Sequence, residues 1–253
     1  MAGKLTLIGI GISDEKGISL LGLEKLKECK RAFAETYTNL IPEGTYSRLE
    51  ALCGKKIEVL ARTDVEGERQ LLDSALHEPT ALVVPGDPMI ATTHSSLVLS
   101  AKKKGIETEI IHASSIMPVA AGESGLQAYK FGKTVTLAYW RENYKPMAAY
   151  ETIAENLSRG LHTLLLLDID EKMGPMPPHV AAETIAKMEK EAGKGVLTPT
   201  RKIILLQGIG WHSPVRKYLA LSQLAKEKEG KGPALLIIPA QLHFLEEEYL
   251  SSL

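Results

Sequence analysis

Apolar positions along the chain gather into short runs: LTLIGIG (5–11), KIEVLA (56–61), ALVVP (81–85), TEIIHA (108–113), TVTLAY (134–139), TLLLLDI (163–169), KIILLQGIG (202–210) and ALLIIPA (234–240). Stretches of helical length and composition separate most of them. That alternation predicts an α/β protein with mostly parallel strands covered on both faces. One helical stretch shows its period, with Met147, Tyr150, Ala154 and Leu157 on one face, Pro146 just ahead and Gly160 suited to the C-terminal cap. Near the end of the chain Leu242, Leu245 and Tyr249 form a second apolar stripe. The triplet Glu246, Glu247 and Glu248 beside it reads as a solvated face.

So many strands exceed what one small doubly wound sheet holds, and the pattern predicts two α/β lobes meeting at a cleft. The boundary is expected within 111–118. Residues 1–112 form the N-terminal lobe and residues 113–253 the C-terminal one. WRENYKPM (140–147) and the Gly/Pro-rich DEKMGPMPPH (170–179) read as loops.

Composition narrows the function classes. In 253 residues, 30 Lys+Arg stand against 31 Asp+Glu for a formal charge of −1, with 44% hydrophobic side chains. Such a chain has no long-range field to draw in nucleic acid or an anionic membrane, and neither is expected as a partner. No apolar run approaches the roughly 18–20 residues of a membrane span. Cys29 and Cys53 form no CxxC and sit near no histidine pair, which suits packed thiols in a reducing cytoplasm. The 7 histidines are scattered, and no metal site is expected.

Three strand ends carry the candidate chemistry. In LIGIGISDEKG (7–17), Gly9 and Gly11 stand where a dinucleotide fold has its phosphate loop, but the third glycine of GxGxxG is absent. A nicotinamide loop, another ligand loop and a plain tight turn all remain open there. In LVVPGDPMIATTH (82–94), Pro85 cannot join a ladder, Gly86 permits positive φ and Pro88 extends its predecessor, so Asp87 is expected at the tip of a turn. It caps the following helix or faces a ligand at the carboxyl edge of the sheet. His94 reads as a packed or surface histidine. In HASSIM (112–117), Ser114 and Ser115 suit either a helix cap or a third ligand loop. No GxSxG elbow, HExxH pair or Walker loop occurs. Group transfer from an activated cofactor fits a site without a nucleophile or metal.

Taken in order, the blocks AETYT (34–38), PGDPMIATTH (85–94), IIHASSI (110–116), YKFGK (129–133), GLHTLLLLDI (160–169) and PAQLHFLEEEYL (239–250) resemble those of the diphthine synthases, S-adenosylmethionine-dependent methyltransferases of the tetrapyrrole methylase superfamily. The resemblance runs from residue 5 to about 251. It implies two α/β lobes of the tetrapyrrole methylase type with the cofactor cleft between them, a homodimer, and methylation of the amino group of a modified histidine on translation elongation factor 2. Position by position, it puts cofactor contacts at Ile12, Asp87, Ile90, Ser115, Ile116, Leu167, Ile209 and Ala234. Most of these are apolar, which suggests recognition through main chain and shape.

Two places depart from the family. It often reads Ala-Arg-Ala-Gly where this chain has Gln207, Gly208, Ile209 and Gly210, and histidine where this chain has Ala234. Alternative readings are a porphyrin-precursor or ribosomal RNA methylase of the same superfamily, a nicotinamide oxidoreductase and a non-catalytic cofactor-binding dimer. Methyl transfer from a sulfonium releases a neutral leaving group, so orientation is the main lever, at roughly 7–11 kcal/mol. Asp87 is then expected to position the cofactor, not to act as a general base. No residue is assigned as the proton acceptor.

Overall fold

The first apolar run becomes β1 (Lys4–Gly9), buried on both faces from Leu5 onward. Leu5 and Leu7 join one core cluster, while Ile8 and the following Ile10 join another. In this computed structural model, which describes residues 3–227 and 230–253, the chain divides into two units, Met1–Ile116 and Met117–Leu253.

In the first unit, β1 is flanked by β4 (Pro79–Val84) and β5 (Glu107–Ile111), and β2 (Arg31–Glu35) and β3 (Glu58–Leu60) complete the order β3-β2-β4-β1-β5. Every pairing is parallel. Helices α1 (Leu20–Glu28) and α2 (Thr45–Cys53) cover one face with Leu26 and Leu49. The other face receives Val65 of α3 (Arg62–Glu66), Leu71 and Leu72 of α4 (Arg69–His77), and Leu97 and Val98 of α5 (His94–Lys103). Strand β2 is absent from the sequence reading because RAFAE is rich in alanine and has only one large apolar residue. Helix α6 (Ile116–Ser124) begins at the last residue of this unit.

The second unit departs from the expected parallel pattern. Its sheet has the order β11-β10-β12-β7-β6, with β6 (Val135–Leu137), β7 (Thr163–Leu167), β10 (Lys202–Gln207), β11 (Val215–Ala220) and β12 (Ala234–Ile238). Only β6 and β7 pair in parallel, joined through α7 (Ala148–Ser158). The other three pairings are antiparallel. A fully apolar run reports burial on two faces but not direction, and the short loop after Gln207 turns β10 straight back into β11. Tyr150 and Ile153 of α7 and Ile185 and Met188 of α8 (Pro178–Ala192) pack on Leu165, Leu205 and Leu236. The 170–179 stretch is not all loop, since β8 (Ile169–Asp170) and β9 (Gly174–Pro175) form a small hairpin there. A four-residue helix, α9 (Leu221–Leu224), follows β11. Gly160 lies just past α7 at φ +71°, where the Leu161 amide returns to the Asn156 carbonyl at 2.9 Å and closes the helix end.

The C-terminal helix α10 (Phe244–Ser251) leaves Glu247 and Glu248 exposed, as a solvated face requires, but corrects the reading of the acidic triplet at Glu246. Glu246 is 1% exposed, whereas Leu245 and Tyr249 of the apolar stripe are 54% and 41% exposed. The buried face is set by Glu246 and Leu250, one helical turn apart. The Glu246 carboxylate accepts from the Gln127 amide at 2.9 Å, the His243 amide at 2.7 Å, Lys130 Nζ at 2.5 Å and His162 Nε2 at 3.2 Å. Burial pushes its pKa up, but these four donors together outweigh burial and hold it at about 2. His162 is fully buried and burial holds its pKa below the usual histidine range. Its Nδ1 accepts from the Ala240 amide at 2.9 Å, leaving Nε2 to donate.

Candidate functional site

Because all five strands of the first sheet run the same way, their carboxyl ends share one edge. The chain leaving β1 crosses toward β2 on one side, and the chain leaving β4 crosses toward β5 on the other. Adjacent strands whose connections diverge open a crevice at their carboxyl ends, the usual ligand position of such sheets. Here the crevice is bounded by the two glycine turns. Gly11 and Gly86, both at positive φ (+74° and +75°), exchange backbone hydrogen bonds of 3.2 and 2.8 Å. A side chain at Gly9 would meet Gly86 O at 2.6 Å, Ala113 Cβ at 2.8 Å and Pro88 Cδ at 2.9 Å. Glycine is thus what allows the three strand-end turns to close together. The third turn is tied in through Ser114, whose Oγ accepts from the Ile12 amide at 3.4 Å.

Asp87 is not at an exposed tip, because it is 6% exposed and lies among these turns. Its Oδ1 accepts from the Met89 amide at 2.9 Å, and its Oδ2 accepts from His112 Nδ1 at 2.8 Å and from the Ala113 amide at 3.2 Å. It does not cap α5, which starts at His94 with Thr93 as its N-cap. A carboxylate offers about four acceptor sites, so Asp87 has about one left after binding two loops through three. Ile12 is half-buried, Ile90 is 42% exposed, Ser115 is buried and Ile116 opens α6. Ala91, next to Ile90, holds φ +55°, a left-handed conformation rare for a residue with a side chain.

At the end of β2 the AETYT block builds a second polar layer on the same edge. Glu35 is fully buried and accepts from the Tyr37 amide at 2.9 Å, the Thr38 amide at 3.0 Å and the Thr38 hydroxyl. Burial raises its pKa against these bonds. Burial and the Glu35 charge push the half-buried Tyr37 phenol up to about 12. The Tyr37 hydroxyl faces His94 Nε2 at 3.4 Å.

In the second unit the three remaining candidates gather at one sheet edge. Ala234 opens β12 opposite Gln207, Leu167 closes β7 beside it, and Ile209 follows β10. Gln207 is buried and donates through Nε2 to Gly232 O at 3.2 Å, and the Gly208 amide donates to Pro233 O at 2.9 Å. The loop that departs from the family's usual residues is therefore anchored on the main-chain carbonyls of Gly232 and Pro233.

Comparison with known proteins decides the family. Residues 4–215 match the Tetrapyrrole (Corrin/Porphyrin) Methylases. The diphthine synthase of Methanothermobacter thermautotrophicus is 36% identical over 247 residues, covering 97% of this chain and 94% of that protein. The diphthine synthase of Methanosarcina mazei is 39% identical over 98% of this chain and 95% of its own length. A solved diphthine synthase structure superposes with a TM-score of 0.88 at 33% identity, covering 98% of this chain and 94% of its own. The chain belongs to the diphthine synthases of the tetrapyrrole methylase family.

Family membership makes the chain a methyltransferase. In this methylase Ile12, Asp87, Ile90, Ser115 and Ile116 lie on or beside the three joined turns of the first unit, while Leu167, Ile209 and Ala234 share an edge in the second. Sequence reasoning missed His112 as the partner of Asp87, and the polar layer of the buried Glu35 and half-buried Tyr37. For Glu35 a signal was present: a carboxylate directly after the apolar Ala32, Phe33 and Ala34, followed by Tyr37 and Thr38, from whose amides it accepts.

Proposed function

We propose that this diphthine synthase family member transfers methyl groups from S-adenosylmethionine to the amino group of the modified histidine on translation elongation factor 2, in the cytoplasm and as a homodimer, releasing S-adenosylhomocysteine. The observation that carries this reading is the closure of three strand-end turns around Asp87 in a chain similar to diphthine synthases over nearly its whole length. The free, buried Cys29 and Cys53 suit a reducing compartment.

The residues of the first unit fit the cofactor. The Cβ position of Gly86 faces open space, with no atom within 4 Å, at a turn that also presents the exposed Ile90. One carboxylate beside apolar side chains suits a ligand that combines an ammonium group with an aromatic ring face, as S-adenosylmethionine does. Asp87 would hold the ammonium through its remaining acceptor site, and such charge-assisted bonds are roughly twice as strong as neutral ones. Ile12, Ile90 and Ile116 would pack on that ring face, and Ser115 would stand at the start of α6. Leu167, Ile209 and Ala234 are the second unit's proposed contribution to cofactor binding. Bound S-adenosylmethionine supplies a methyl group already activated as a sulfonium, so the chain needs to orient the substrate amine and keep water away.

The test is incubation of the purified protein with methyl-labelled S-adenosylmethionine and elongation factor 2 carrying the unmethylated intermediate. Label on that factor, and none on factor lacking the intermediate, is the expected result. Label on a tetrapyrrole precursor or ribosomal RNA instead would overturn the substrate assignment.

A further inference from the structure

We infer that His94 is a positioning residue for cofactor binding, holding the 85–88 turn from behind through the Pro88 carbonyl, with the Tyr37 hydroxyl fixing the ring for that task. The inference rests on the reading that Asp87 binds the cofactor.

His94 is the first residue of α5 and is 1% exposed, so its imidazole has no direct access to a reacting amine. Its Nδ1 lies 2.9 Å from Pro88 O. A carbonyl only accepts, so the ring carries a proton on Nδ1. In the neutral ring Nε2 is then an acceptor, and it faces the Tyr37 hydroxyl at 3.4 Å with the two rings near perpendicular at 80°. Tyr37 is itself anchored by its amide to the buried Glu35 carboxylate at the end of β2.

The peptide between Pro88 and Met89 is the link to Asp87. Its oxygen receives His94 Nδ1 and, at 3.2 Å, the Thr92 hydroxyl. Its N–H is the group that donates to Asp87 Oδ1 at 2.9 Å. Because the peptide is planar and stiff, gripping the oxygen also fixes the direction of the N–H. His94 therefore sets the orientation of the Asp87 carboxylate without touching it. The chain of contacts runs from Glu35 through Tyr37, His94 and the 88–89 peptide to Asp87, and on to His112 and Ala113, joining the ends of β2, β4 and β5.

Two substitutions separate the ring nitrogens. Asparagine places its side-chain N–H near Nδ1, whereas glutamine places its amide near Nε2 and vacates the Nδ1 position. With melting temperatures matched, His94→Asn should retain S-adenosylhomocysteine affinity to within about threefold, and His94→Gln should lose on the order of tenfold, the scale of one hydrogen bond. Independently of any cofactor, hydrogen exchange of the Met89 and Ala113 amides should stay slow in His94→Asn and accelerate in His94→Gln. Tyr37→Phe should accelerate the Met89 amide to a smaller degree. Equal exchange at Met89 in the asparagine and glutamine variants overturns the inference. Should Asp87→Ala bind S-adenosylhomocysteine as tightly as the unaltered chain, the cofactor reading of Asp87 fails, while the exchange comparison still decides whether His94 holds the turn.

Discussion

Asp87 reaches from the end of β4 to His112 at the end of β5, Oδ2 to Nδ1 at 2.8 Å, passing over the end of β1 that lies between them. Replacing Asp87 by alanine leaves the Met89 and Ala113 amides without their acceptor. The expected result is a loss of about 1–3 kcal/mol in stability together with at least a tenfold weakening of S-adenosylhomocysteine binding. Thermal melts and calorimetry on one preparation measure both. An unchanged melt would show that the stitching bonds contribute nothing.

The passage over β1 is possible because residue 9 has no side chain. In Gly9→Ala the new methyl would press on Gly86 O, Ala113 Cβ and Pro88 Cδ, all within 3 Å. Separating the turns should cost roughly 1–3 kcal/mol and weaken cofactor binding as well. Gly54→Ala, whose added methyl meets nothing within 4 Å, is the control for a glycine at positive φ without a close neighbour. It should lower the melting temperature without changing cofactor affinity.

Glu246 makes the second unit acid-sensitive. Its folded pKa of about 2 lies below the ordinary value of 4.5, so its stabilisation is fully present above about pH 4.5 and is lost as pH falls toward 2. The amount is on the order of 3 kcal/mol. The depressed His162 acts in the same direction, with stability falling once the pH drops below the ordinary histidine range. In Glu246→Gln the stability difference from the unaltered protein should be largest near neutral pH and shrink in acid. Denaturant melts from pH 7 to pH 3 would show a parallel offset instead if the carboxylate were unimportant.

Asn156 ties the YKFGK block to the second sheet. Its Oδ1 accepts from the Lys133 amide at 3.1 Å, and its Nδ2 donates to Lys133 O and to Thr163 Oγ1, each at 2.9 Å. Asn156→Ala strands these groups, and a loss of about 2–3 kcal/mol is expected. Methyl-transfer activity measured well below the melting temperature should change little. A large activity loss in a folded variant would assign this block a direct part in the reaction.

The strand-end turns were legible in the sequence because glycine and proline act through local backbone geometry. Gly9, Gly11, Gly86 and the prolines flanking Asp87 need no knowledge of the sheet to be read as turns. What Asp87 touches was not legible, since its pairing with His112 depends on β1 lying between β4 and β5. Strand β11 escaped notice because an edge strand carrying Arg216 and Lys217 has no continuous apolar run. In α10, Leu245 and Tyr249 satisfied the helical period as well as Glu246 and Leu250 do. Only the donors from Gln127, Lys130 and His162, brought in by other elements, reverse which face is buried.

The mutual pairing of Gly11 and Gly86 has an electrical consequence. A glycine loop that cradles a diphosphate points successive free N–H groups at the anion. Along this edge the Ile10 amide goes to Val84 O, the Gly11 amide to Gly86 O, the Gly86 amide to Gly11 O, the Ile12 amide to Ser114 Oγ and the Ala113 amide to Asp87. With these donors engaged and a carboxylate at the centre, this glycine turn differs in its electrostatics from the diphosphate-cradling loops its sequence resembles.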